Sequence, residues 1–169
     1  MSLTGAGPVV VTRDGRDPAS IAALPVDLDD LAELLAGVLA AEGAPASAEA
    51  SLQIVSPGEI AALNAEHLGV EGPTDVLSFP LDGVGPGVDP VGGRIVGDVV
   101  VCAEVAVAQA PGHAGDLEGE LALLVVHGGL HLCGWDHRDS DEQTRMWDRE
   151  RELLDRAGRR PARDPWGPR

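Results

Sequence analysis

Three of the chain's five histidines fall within one short stretch, His127-Gly-Gly-Leu-His131-Leu-Cys-Gly134-Trp-Asp-His137. Residues four apart share a helix face, so His127 and His131 predict a helix that presents both imidazoles together. Gly134 follows where such a helix can end with φ > 0, letting the chain reverse and return His137 to the same point. Three neutral imidazoles leave a fourth tetrahedral position open, the arrangement of a catalytic zinc; structural zinc is usually closed by four protein ligands, often cysteines. We therefore expect one Zn2+ per chain at His127, His131 and His137. The same donors would also accept nickel or another late metal.

The stretch overlaps the metzincin protease signature H-E-x-x-H-x-x-G-x-x-H in its histidines and its glycine. The glutamate that serves those proteases as general base is Gly128 here, so the ligand frame is present without its proton acceptor. Asp136 has three open readings: a residue that orients a ligand, a proton acceptor, or a turn residue. It is the candidate catalytic side chain, with a substrate group or bulk water as the other proton acceptors. Cys133 points away if His131 points in, and reads as buried filler. Cys102 and Cys133 form no CxxC, which fits a reduced, cytoplasmic protein. His67 and His113 have no such neighbours and read as surface or loop residues.

With 169 residues, 44% of them hydrophobic, the chain can bury one sizeable core. No apolar run approaches the ~18 residues of a membrane span, and the start lacks a basic-then-apolar secretion signal. The formal net charge is -16 and all 12 basic residues are arginine. Such a surface repels polyanions at long range and argues against non-specific nucleic-acid binding. It suits simple solubility or a basic protein partner.

Hydrophobic spacing and punctuation predict one α+β domain over residues 1–158, with 159–169 as a flexible tail. Strands are expected at Pro8 to Thr12, Ala50 to Val55, Asp75 to Phe79 and Arg94 to Val101. Asp14 to Ser20 reads as a turn. Asp27 is expected to cap a helix that stops at Gly43, and Ser56-Pro57-Gly58-Glu59 to open another that ends at Gly69. Gly83 to Gly93 reads as a loop, and Glu104 to Ala110 as a short helix. Asp116 to Leu132 is the expected central, deeply buried helix, and Ser140-Asp-Glu-Gln143 a capping box for a last helix running to Gly158.

The motif HGGLHLCGWDH resembles the HGxLHLxGxDH of the YbeY-type endoribonucleases, also called rRNA maturation factors. Pro73-Thr-Asp-Val-Leu-Ser-Phe-Pro80 is similar to a second segment of that family. Leu63-Asn64, Gly97-Asp98, Glu118 to Val126, Met146 and Glu150 follow its pattern, so the resemblance covers about residues 50–158. It implies a small mixed sheet with several helices, the central one bearing the first two ligands. It also implies a cytoplasmic, metal-dependent RNase that cuts single-stranded RNA in 16S rRNA 3′-end processing and ribosome quality control. Ribosomal proteins are the implied partners, and no membrane is involved. Thr74, Asp75, Ser78 and Asp98 fall on motif positions expected near the substrate channel, although they also read as turn and strand-end residues.

One departure is Leu68, which stands where many family members carry an arginine for RNA phosphate; leucine cannot replace a guanidinium fork. Arg94 or the arginines at 156, 159, 160 and 163 are the candidates to compensate. Two other readings stay open from the sequence: a metallohydrolase of peptides or small molecules, and a ribosome-assembly factor whose metal holds the fold.

Overall fold

The computed structural model describes residues 7–85 and 93–167. Its strands are β1 (Val9–Asp14), β2 (Glu49–Ile54), β3 (Val76–Pro80) and β4 (Ile95–Val101). Its helices are α1 (Pro18–Ala23), α2 (Leu28–Ala41), α3 (Pro57–Leu68), α4 (Ala103–Gln109), α5 (Leu117–Leu132) and α6 (Ser140–Arg156), with a 3-10 turn at Ala110–Gly112. The chain is thus the α+β fold expected. Most of the expected loop from Gly83 to Gly93 lies outside the described residues.

Local chemistry accounts for most helix ends. The Asp27 carboxylate accepts from the Asp30 N–H, and the Ser56 hydroxyl oxygen from the Glu59 N–H. α6 is capped one residue earlier than expected: Asp139, not Ser140, accepts from the Glu142 N–H, while Glu142 reaches back to the Arg138 N–H. Within the expected turn at 14–20 begins α1, a short helix capped by Asp17 and opened by Pro18. An Asp-Pro pair in a polar stretch serves a turn and a helix start equally well.

The sheet runs β1-β2-β4-β3, with β1, β2 and β4 parallel and β3 antiparallel to β4. This is the small mixed sheet that the resemblance implied, and it leaves β3 on an edge. One face carries Ala50, Leu52, Ile54, Val99 and Val101, all buried against α2 and α5. The other face, under α3, carries Val100 and Leu77 with Val55, Ile60 and Cys102. A bulge interrupts the alternation: Glu49 pairs with Ile95 but Ala50 with Gly97, so Val96 has no partner across the ladder.

α5 lies between the sheet and α2, and two glycines allow the close approach. A Cβ on Gly128 would stand 2.8 Å from Val99 Cγ1, and one on Gly129 2.9 Å from Leu35 Cδ1. A side chain at either position would have to push these neighbours aside.

The flexible tail expected after residue 158 is corrected by the structure. It holds no helix or strand among the described residues, but Trp166 joins the core and Arg163 is tied to the main chain of Ala114 and Pro111. An indole has enough apolar surface to anchor a segment that proline and arginine make look loose.

Candidate metal centre

α5 ends in the turn that the glycine predicted. Gly134 has φ 94°. Its N–H donates to the His131 carbonyl, and the Trp135 N–H to the Leu130 carbonyl, the two bonds of a Schellman motif. The reversal brings His137 back beside the helix. One ligand atom from each of His127, His131 and His137 lies within 4.8 Å of the others.

The outer nitrogens of two rings are already committed. His127 Nδ1 meets Glu150 Oε1 at 2.6 Å, and His131 Nδ1 meets the Trp135 carbonyl at 2.9 Å. With Nδ1 as the donor, both rings present the bare lone pair of Nε2 to the site, and these nitrogens are 3.1 Å apart. Two facing lone pairs repel each other unless a cation lies nearby, so the donor set fits a metal ion. Burial first, then the charges of His127 and His137, push the His131 pKa below its ordinary value. That favours the neutral form a ligand needs.

The histidines open into a cleft of about 680 Å³ whose walls include Asp75, Val76, Ser78, Phe79, Trp135 and Asp136. His67 and Leu68, at the end of α3, form its rim. His67 packs edge-on to Phe79, their ring centroids 4.9 Å apart, and Leu68 is 61% exposed. No arginine lines this cleft among the described residues. Arg94 is buried with its guanidinium on the carbonyls of Asp82, Gly83 and Gly85. Arg156 pairs with Glu152, Arg159 with Asp30 and Arg160 with Asp155, while Arg163 bonds the Pro111 carbonyl. None of the compensating arginines that the sequence offered lines the cleft.

Asp136 is half-buried on the cleft wall. Its Oδ1 accepts from the His137 N–H at 2.8 Å, and Oδ2 pairs with Arg138 at 3.0 Å. Asp75 Oδ1 accepts from the Val76 N–H and the Thr74 hydroxyl, and Oδ2 from Gln109. Ser78 donates to the Gly128 carbonyl at 3.1 Å, stitching β3 to α5 beside the first ligand. Asp98 does not reach the cleft. The Val96 bulge leaves Val99 facing α5, so Asp98 faces the opposite side of the sheet, where it accepts from the Ser51 hydroxyl. Cys133 is partly buried and its thiol is pushed up to about 12 by burial, which leaves it unreactive.

Two buried carboxylates were not given roles from sequence. Glu150 sits on the buried stripe of α6 with Met146, Leu153 and Leu154, and a glutamate in such a stripe is the signal that could have found it. Glu120 is fully buried in α5 and accepts from Gln109, His113 Nδ1 and the Ala114 N–H. His113, read as a loop residue, is therefore the partner of an interior carboxylate.

A family model described as Endoribonuclease YbeY matches residues 22–158. A protein from Moorella thermoacetica with that description is 40% identical over 137 residues, covering 79% of this chain and 88% of its own. Its counterpart from Corynebacterium glutamicum is 47% identical over 112 residues, covering 63% of this chain; the match spans 57% of that relative's length. The solution structure of TM1509 from Thermotoga maritima superimposes with a TM-score of 0.56 at 25% identity, covering 88% of each chain.

Proposed function

From the premise that the chain belongs to the YbeY endoribonuclease family, we propose that it is a zinc-dependent endoribonuclease that cuts single-stranded RNA in late 16S rRNA 3′-end maturation and ribosome quality control. It would work in the cytoplasm, on rRNA and alongside ribosomal proteins, through a single domain against which the segment after residue 158 packs. No helix among the described residues is long and apolar enough to cross a membrane. The observation that carries the reading is the convergence of His127, His131 and His137 at the floor of an open cleft.

The three histidines would hold one zinc ion. When bound, zinc supplies a Lewis acid for a phosphoryl oxygen and lowers the pKa of a water to about 7. The chain's own residues do the rest. Glu150 and the Trp135 carbonyl fix two imidazoles in the ligating tautomer. Of the two carboxylates on the cleft wall, Asp136 is the proton acceptor. Asp75 is held by the Val76 N–H, the Thr74 hydroxyl and Gln109, whereas Asp136 adjoins the third ligand and its Oδ2 meets only the exposed side chain of Arg138. With Ser78, Asp75 shapes the channel and holds the β3 wall, while Thr74 does not line the cleft and reaches it only through its bond to Asp75. Because no guanidinium among the described residues lines the cleft, RNA would be gripped by apolar and aromatic groups such as Leu68, His67 and Phe79 and by main-chain donors.

The test is cleavage of a labelled single-stranded rRNA 3′-end fragment by zinc-loaded wild type and by His131→Ala, with metal content assayed in both. We expect metal-dependent cutting that the variant loses. Equal cutting by both proteins would trace the activity to a contaminant, and no cutting by zinc-loaded wild type would overturn the reading. A 2′-deoxy nucleotide at the cleaved position adds a further arm: full cleavage there excludes attack by the RNA's own 2′-hydroxyl.

A further inference from the structure

The segment after α6 is laid across the fold by several contacts. The Arg163 N–H donates to the Ala114 carbonyl at 2.9 Å, and its guanidinium to the Pro111 carbonyl at 2.7 Å. Gly115 passes so near that a Cβ on it would stand 2.9 Å from Ala162 Cβ. These contacts seat Trp166 in the core at 6% exposure, with the Arg151 guanidinium 4.6 Å above its ring. The indole N–H then donates to Glu150 Oε2 at 2.8 Å, while Glu150 Oε1 takes His127 Nδ1 at 2.6 Å. Trp166, Glu150 and His127 also line a cavity of about 180 Å³ behind the histidine cluster.

We propose that Trp166 is a positioning residue for the metal centre and acts through Glu150: its N–H orients the carboxylate, which in turn orients His127. The proposal rests on His127 being a metal ligand. Glu150 is 2% exposed, so solvent does not compete for its oxygens and each takes one N–H. Without the indole N–H, one oxygen loses its donor and the carboxylate is free to turn away from the imidazole. The three histidines are held differently. His131 rests on a main-chain carbonyl of the Schellman turn, which follows from the fold of α5 itself. His127 instead depends on a side chain of α6 and, through it, on the segment after α6. Outer partners of this kind set ring orientation and basicity and so metal affinity.

The experiment uses the full chain and its W166F, E150Q and W166F/E150Q variants, stripped of metal and titrated with Zn2+ against a chelator of known affinity. Thermal unfolding of each metal-free protein is recorded in parallel. E150Q should weaken zinc binding by about 10–100-fold, the range for such partners. W166F keeps ring packing and loses only the N–H, and should weaken binding by about 3–10-fold. In the double variant W166F should add nothing, since its effect passes through Glu150. Zinc affinity equal to wild type in W166F, or a loss that adds in full to that of E150Q, overturns the proposal. A lower melting temperature of W166F with unchanged zinc affinity also overturns it, assigning the indole to packing alone. If W166F does not fold, W166L, which also fills the site with apolar surface and lacks the N–H, gives the same comparison. A wild-type protein that takes up no zinc would overturn the metal reading itself, a result distinct from a tight-binding W166F.

Discussion

Glu120 on α5 holds His113, and His127 on the same helix is held by Glu150 of α6. Both pairs join a histidine Nδ1 to a carboxylate that the core hides from water, at 2.8 Å and 2.6 Å. They differ in what lies beyond the pair. The ring of His127 faces two more imidazoles across an open cleft. The side chain of His113 is 41% exposed, and its carboxylate is shared with Gln109 and the Ala114 N–H. In the Glu150–His127 pair the glutamate serves the histidine; in the Glu120–His113 pair the histidine helps to satisfy the glutamate. A carboxylate–histidine pair is therefore not in itself a sign of a metal site, and the far nitrogen's surroundings decide.

Substitutions can break this contrast. His127→Ala removes one of three ligands and should cost zinc affinity on the order of 1000-fold, read by competition with a chelator. Glu120→Ala should lower unfolding free energy by about 3 kcal/mol in urea denaturation, because it strands several buried donors. Its zinc affinity, measured where the protein is folded, should match wild type. His113→Ala takes only one partner from Glu120 at a half-exposed position and should cost about 1 kcal/mol, again without touching zinc affinity. The smallest effect concerns Cys133, two residues from His131 yet turned away from the cleft. With its thiol at about 12, alkylation by iodoacetamide at pH 8 should be slow, and equally slow with and without zinc.

The histidine cluster is far more legible in the sequence than the partners that hold it. His127, His131, Gly134 and His137 lie within one turn-bounded stretch, so helix geometry alone brings the first two histidines together and the left-handed Gly134 returns the third. Glu150 and Trp166 belong to segments that meet α5 only through packing, and no local period relates them to His127. Asp98 was assigned to the cleft because strand position was legible, but the face was not: a bulge at Val96 decides it, and that follows from pairing with β2. α1 was missed for a different reason, since a six-residue helix has too few turns to show a hydrophobic face. Caps at Asp27 and Ser56 were read correctly because each is satisfied within its own first turn.

The spacing between α5 and the sheet at Gly128 bears on which reactions a site like this can acquire by mutation. A glutamate at 128 would complete the protease signature with one amino-acid exchange. Its Cβ alone, however, would press on Val99 Cγ1 and come within 3.1 Å of Ser78 Oγ and 3.4 Å of Val76 Cγ2. To admit it, the Val99 and Ser78 side chains would have to give way, which strains the Ser78 bond that holds β3 to the ligand helix. Peptide hydrolysis by that base is thus distant in sequence space although it is one letter away in the motif. What separates the two chemistries is the thickness of a helix–sheet interface, which the motif letters do not record.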